Sequence, residues 1–102
     1  MDLRLRLFCL IFRIKCEKTP NLTMRARWER GNIIKYSKRA TDIDILHEIG
    51  HVFVGYGCCR EHDEFMAHGI TKYLSQRLKI DMGDIDERMD CYSGISVCPR
   101  VK

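Results

Sequence analysis

The strongest constraint in this sequence is a pair of histidines, His47 and His51, with Glu48 directly after the first of them. Side chains four residues apart share one face of an α-helix, so a helix here would aim both imidazoles at one point. Converging imidazoles are ligands that Zn²⁺ accepts, and a neighbouring carboxylate can serve as a general base. The pattern therefore predicts a helix with His47 and His51 as metal ligands and Glu48 as a catalytic base.

The residues around this pattern carry the signals of an amphipathic helix. Thr41 is a typical N-cap residue, and the two aspartates soon after it suit the positive first turn of a helix. Apolar residues then recur at helical spacing: Ile45, Leu46, Ile49, Val52 and Phe53. We expect Gly55 and Gly57 to end the helix, and Gly50 to let another element approach it closely.

A catalytic zinc site needs a third protein ligand. The segment Glu61 to Leu78 is predicted to form a second helix with this core stripe: Phe65, Met66, Ile70, Tyr73, Leu74 and Leu78. Packed antiparallel to the first helix, it could carry an acidic side chain across to the histidine pair. The candidates for this ligand are Glu61, His62, Asp63, Glu64 and His68. The pattern favours Glu64, and we interpret Glu61, His62 and Asp63 as a solvated polar face.

The N-terminal part of the chain is predicted to form a small antiparallel sheet, about residues 3–36, packed on the two helices in an α+β fold. Leu3 to Leu7 alternates apolar and basic residues, which is the period of a strand, so we assign residues 3–16 to the first strand. Thr23–Glu29 and Asn32–Tyr36 are two further short strands. Near the C-terminus, residues 84–89 are predicted to form a short third helix.

Charge is divided unevenly along the chain. Residues 1–40 carry 11 Lys and Arg against 3 Asp and Glu, whereas residues 41–102 carry 7 against 11. The basic half could attract an acidic substrate or nucleic acid, with Trp28 and Tyr36 as stacking platforms, although solvated strand faces explain the same charge. No apolar run approaches the roughly 20 residues that span a bilayer. We therefore expect a cytoplasmic protein with no membrane partner.

The sequence has six cysteines: Cys9, Cys16, Cys58, Cys59, Cys91 and Cys98. In a reducing compartment we expect them to be mostly free thiols that act as small apolar residues. A structural metal site on the last four is an alternative, although the sequence has no C-x-x-C pair.

Two segments, His47–His51 and Glu64–His68, resemble the HExxH and E-x-x-A-N/D motifs of the ImmA/IrrE-type metallopeptidases. The resemblance extends over about residues 30–80, and His68 stands where that family usually has Asn or Asp. It implies a zincin-like fold of the gluzincin kind.

The same resemblance implies one zinc ion per chain, with His47, His51 and Glu64 as its ligands and Glu48 as the catalytic base. Members of this family often cleave a transcriptional repressor, which implies a protein or peptide substrate of that kind. Our leading prediction is therefore a zinc-dependent endopeptidase, formed by a single minimal domain over residues 1–102.

Three tyrosines and one strand are candidates for substrate contacts. Tyr36, Tyr73 and Tyr92 are candidates for stabilising an oxyanion, and an extended substrate could add to the sheet at the strand that ends near Tyr36.

One alternative function is a zinc-stabilised binding module that sequesters a regulator without cutting it, but a structural site needs no base such as Glu48. The other is a nucleic-acid-binding protein, whose affinity would fall steeply with salt.

Overall fold

A computed structural model describes residues 1–55 and 60–83, and the side chains of this part except those of residues 60 and 61. The described elements are, in chain order, helix α1 (Leu3–Ile11), strands β1 (Lys15–Lys18), β2 (Ala26–Trp28) and β3 (Ile33–Tyr36), and helices α2 (Asp42–Val54) and α3 (Arg60–Leu78). The predicted α+β class is confirmed. The predicted helix over residues 84–89 lies outside the described part of the chain.

The first element is a helix, so the prediction of a strand over residues 3–16 is wrong for most of that range. Leucine and arginine both have high helix propensity, and Asp2 caps the helix by accepting a hydrogen bond from the Arg4 backbone N–H at 2.8 Å. Leu5 and Cys9 are buried at helical spacing, while the other leucines of the alternating run are exposed. The alternation of leucine and arginine therefore did not correspond to two faces of a strand.

The sheet is mixed, with strand order β1-β3-β2, and the prediction of an antiparallel sheet is wrong. β3 pairs in parallel with β1 and antiparallel with β2. The second and third predicted strands are confirmed within shorter bounds, Ala26–Trp28 and Ile33–Tyr36. Because β3 is the central strand, an extended substrate cannot add at the strand that ends at Tyr36. Strand β2 forms one edge of the described sheet and packs against α2.

Helix α2 begins and ends where the sequence predicts. The Thr41 backbone N–H and hydroxyl both donate to the Asp44 carboxylate at 3.0 Å, which anchors the first turn. Asp44 is buried, and Arg25 lies 3.8 Å from the same carboxylate. The helix ends at Gly55, whose φ of 67° is a conformation that glycine adopts without strain. One face of α2 supplies much of the core: Ile43, Ile45, Leu46 and Ile49.

Helix α3 packs against α2 largely through small residues, and only part of the predicted apolar stripe, Leu74 and Leu78, packs on the core. Met66 and Tyr73 of that stripe are 43% and 57% exposed, whereas Ala67, Thr71 and Ser75 are buried. A Cβ added to Gly50 would lie 2.6 Å from the Ala67 carbonyl oxygen, so the two backbones nearly touch there. The expected close approach at Gly50 is confirmed. None of the described helices is long and apolar enough to cross a bilayer.

We predict that Gly50→Ala destabilises the protein by about 1–3 kcal/mol, because the added methyl group forces α2 and α3 apart. Gly69→Ala is the matched control, since its Cβ would meet no described atom within 4 Å. That change should stabilise α3 by about 0.5–1 kcal/mol. Urea unfolding of both variants measures the difference. Equal effects of the two substitutions would contradict the close helix contact.

Candidate metal centre

Three side chains from two helices converge on one point. His47 and His51 of α2 and Glu64 of α3 each offer a ligand atom, and these atoms all lie within 4.8 Å of one another. Nε2 of His47 lies 2.9 Å from Glu64 Oε2, and Nε2 of His51 lies 3.2 Å from Glu64 Oε1. The two imidazole planes are nearly perpendicular, at 89°. This group could hold a metal ion, and it brings together the three residues that the sequence favoured as ligands.

The three side chains are largely removed from water, at 8%, 12% and 20% exposure for His47, His51 and Glu64. Burial on its own would raise the pKa of Glu64, but hydrogen bonds with the two histidines outweigh it and hold that pKa well below its usual range. Burial on its own would lower the pKa of His51, but the bond to Glu64 outweighs it and the pKa is raised. The Glu64 carboxylate therefore stays ionised, and its negative charge favours the protonated form of His51.

Thr71 contacts His47 at the ring nitrogen that does not face Glu64, and the sequence analysis missed this residue. Its hydroxyl donates to the Ala67 carbonyl oxygen at 2.7 Å and lies 3.3 Å from His47 Nδ1. The hydroxyl therefore holds the His47 ring at Nδ1, and Nε2 is the nitrogen that faces Glu64. The only signal in the sequence is spacing, because Thr71 lies two helical turns after Glu64 on the same face.

Glu48 is held beside the cluster by the sheet. The Trp28 backbone N–H donates to Glu48 Oε1 at 2.8 Å. Burial raises the pKa of the Glu48 carboxyl, although the nearby His51 and His47 oppose the rise. The Trp28 amide can reach Glu48 because it points away from β3, to which the neighbouring Glu29 N–H bonds instead, at the Ile33 carbonyl. A backbone contact of this kind has no signature in the sequence.

The Trp28 side chain covers His51. Its ring is nearly parallel to the imidazole, at 5°, with centroids 6.2 Å apart, and its indole N–H donates to the Gly31 carbonyl at 2.9 Å. The sequence offered Trp28 as a stacking platform for nucleic acid, but its ring has a stacking partner within the chain. The other platform, Tyr36, is partly buried against the core.

The remaining sequence candidates lie outside the three-residue cluster. His62 and Asp63 are partly buried rather than on a solvated face, and the negative charge of Asp63 contributes to the raised pKa of His51. The His68 ring lies 6.4 Å from that of His47 and is not one of the converging groups. The Glu61 side chain, Tyr92 and the last four cysteines lie outside the described part of the chain.

The two described tyrosine candidates for an oxyanion donor are not in the cluster. Tyr73 is 57% exposed, and the Arg77 guanidinium lies over its ring, 5.2 Å from the centroid. Tyr36 packs on the hydrophobic core.

No protein-family model, curated protein or solved structure matches this chain. The resemblance to ImmA/IrrE-type metallopeptidases consequently depends on the motif residues alone.

We predict that Thr71→Val weakens metal binding by about 10–100-fold, because Nδ1 of His47 loses the oxygen that fixes the ring. Valine has nearly the shape of threonine, so the helix contact is kept. Thr71→Ser, which retains the hydroxyl, is the matched control and should bind nearly as well as the parent protein. Titration with a competing chelator measures both affinities, and an unchanged affinity in Thr71→Val would contradict the supporting role.

We predict a distinctive pH dependence for the stability of the metal-free protein. The raised pKa of His51 stabilises the fold below its ordinary value of 6.5, and this contribution is lost as the pH rises through the folded value. The lowered pKa of Glu64 stabilises the fold above its ordinary value of 4.5, and this contribution is lost as the pH falls through the folded value. Glu64→Gln should therefore be most destabilising between these two values.

Urea unfolding with excess chelator at about pH 5.5 and pH 8.5 tests this window. Glu29→Gln is the control, because Glu29 pairs with Arg27 and Lys35, which stay charged at both pH values. The loss of stability in Glu64→Gln should shrink at the higher pH, whereas that in Glu29→Gln should not change. Equal losses for Glu64→Gln at both pH values would rule out the proposed pairing with His51.

Proposed function

We propose that this protein is a zinc-dependent endopeptidase of the ImmA/IrrE type, with a zincin-like packing of α2 and α3 against the sheet. The observation that carries this proposal is the convergence of His47 Nε2 and His51 Nε2 on the two oxygens of Glu64. A glutamate in the position next to a ligand histidine, Glu48, is anchored beside them. Two imidazoles, one carboxylate and a separate base form the set that hydrolytic zinc sites use.

The donor set itself supports zinc. Two neutral imidazole nitrogens and one carboxylate oxygen match the three protein ligands of a catalytic site, which keeps a further position for water or substrate. Glu64 already has one oxygen directed at each histidine, so His47, His51 and Glu64 would hold the ion with little rearrangement. The same donor types also suit ferrous iron, so metal identity is measured directly in the experiment below.

The chemistry proposed for the site is hydrolysis of a peptide bond. When bound, zinc would make a water molecule more acidic and polarise the scissile carbonyl group. Glu48 would take the proton of that water and pass it to the amine nitrogen that leaves. Its Oε1 is fixed by the Trp28 N–H, so Oε2 is the oxygen that would accept the proton. The raised pKa of Glu48 makes the carboxylate a stronger base than an exposed one.

An extended peptide is the substrate form that suits this fold. β2 pairs only with β3 among the described strands, which leaves its other edge for main-chain pairing. That edge carries the Trp28 N–H bonded to Glu48, so a peptide aligned along β2 would pass the proposed base. The basic N-terminal part of the chain favours an acidic or neutral segment of a regulatory protein over a basic one.

Metal analysis tests the first half of the proposal. Protein purified without chelators should contain close to one zinc ion per chain by elemental mass spectrometry. His47→Ala/His51→Ala should contain none, and Glu64→Gln should lose zinc under mild chelation, whereas Glu29→Gln should retain it. Zinc that persists in the double histidine variant would place the metal elsewhere and remove the peptidase proposal.

Substitution of Glu48 tests the second half. Glu48→Gln should keep its zinc but lose about 10²–10⁴-fold in the cleavage rate, because the carboxamide cannot take a proton. Unfolded, fluorescently labelled casein is a suitable probe, since an extended substrate is expected. Zinc-loaded parent protein that cleaves nothing would instead favour the non-catalytic binding module. Equal cleavage by the parent and Glu48→Gln proteins would assign the activity to a contaminant.

A further inference from the structure

A second chemically reactive group, separate from the metal centre, joins the first helix to the first strand. Cys9 of α1 and Cys16 of β1 have their Sγ atoms 3.7 Å apart, within hydrogen-bond distance for thiols. Both are free thiols in the structure. They line a cleft of about 310 Å³, together with Arg6 and Tyr36 among others. A small polar molecule can therefore enter the space next to both sulfur atoms.

The two thiols differ in exposure. Cys9 is 6% exposed and forms part of the hydrophobic core, whereas Cys16 is only partly buried. Cys16 is therefore the sulfur that an entering molecule meets first. The side chain of Arg6 lines the same cleft.

The contact between the thiols strengthens this difference. The hydrogen bond with Cys9 lowers the pKa of the Cys16 thiol, and the same bond, together with burial, raises the pKa of the Cys9 thiol. The thiolate is the nucleophilic form of cysteine. At a given pH, Cys16 therefore has the larger thiolate fraction, and the contact with Cys9 stabilises it.

The chain brings the two sulfur atoms close together. A bond needs the sulfur atoms at about 2.05 Å, with both side chains on neighbouring backbone segments. The helix ends two residues after Cys9, and Ile14 turns back to bond the Cys9 carbonyl oxygen at 2.8 Å, which brings Cys16 alongside. A disulfide would shorten the Sγ–Sγ distance from 3.7 Å to about 2.05 Å.

We propose that Cys9 and Cys16 form a modification site for hydroperoxides, at which Cys16 is oxidised first and Cys9 then resolves it to a disulfide. The Cys16 thiolate attacks one oxygen of hydrogen peroxide, the O–O bond breaks, and the departing hydroxide takes up a proton to give water and a Cys16 sulfenic acid. The Cys9 sulfur then attacks the Cys16 sulfur. Hydroxide leaves and takes the Cys9 proton, so that one peroxide and two thiols give one disulfide and two waters.

Peptide mapping of the intact parent protein tests the proposal. Reduced protein is treated with hydrogen peroxide, alkylated and digested with trypsin, which places Cys9 in residues 7–13 and Cys16 in residues 16–18. We expect these two peptides to be joined, with a mass two hydrogens below their sum, and to separate on reduction. Recovery of both peptides as alkylated thiols, or linkage of either to another cysteine, would overturn the proposal.

Two variants test the order of events. In Cys9→Ala, Cys16 should stop at the sulfenic acid and be trapped by dimedone. In Cys16→Ser, Cys9 should react with peroxide at least about tenfold more slowly than Cys16 does in the parent protein. Circular dichroism checks that each variant is folded, and the parent mapping stands if the core substitution at Cys9 is not tolerated. Dimedone capture at Cys9 in the Cys16→Ser protein at the parent rate would reverse the assigned roles.

Discussion

The near-contact of two backbones, at Gly50 of α2 and Ala67 of α3, is the constraint on which the rest of the structure depends. It holds the helix axes so close that a short glutamate side chain on α3 reaches both histidines on α2. It also brings the Thr71 hydroxyl next to His47. A wider interface filled by leucine side chains would add apolar burial but would separate the ligands. The small residues of α3 are therefore explained by the site rather than by the core.

The cost of this arrangement is a carboxylate placed largely out of water. An ionised Glu64 needs positive charge beside it, which two imidazoles or a metal ion can supply. Loss of a metal would not leave the carboxylate without partners, since His47 and His51 already bond it. Binding of a metal and protonation of the histidines thus compete for the same atoms. Metal affinity should consequently fall in acid, as is usual for sites with imidazole ligands.

The sequence was sufficient for the parts of this fold that have local signals. Helix α2, with its Thr41 cap and Gly55 end, follows from residues that act within one turn. Glu64 was favoured by the motif pattern on the second helix, and the structure places it with His47 and His51. The first helix was mistaken for a strand because leucine–arginine alternation has the period of a strand, whereas the helix propensities and the Asp2 cap decide the outcome. The parallel pairing of β1 with β3 needs β2 on the far side of β3, and no local pattern encodes that.

The supporting contacts of the site escape sequence analysis for a similar reason. Trp28 holds Glu48 through a backbone N–H, which every residue except proline has, and it does so from 20 residues away. Thr71 is an ordinary residue of a helix until Ala67 and His47 are seen on either side of its hydroxyl. Ligands are recognisable because few residue types can bind metal. Their supports are not, because many residue types can donate or accept one hydrogen bond.

The parallel stacking of Trp28 on His51 gives the protein a built-in optical reporter. Trp28 is the one tryptophan in the chain, so all indole emission comes from a ring whose centroid is 6.2 Å from that of a candidate ligand imidazole. A protonated imidazole accepts an electron from excited indole far more readily than a neutral one. The brightness of the protein should therefore follow the charge state of His51, and events at the centre can be observed in solution without a label.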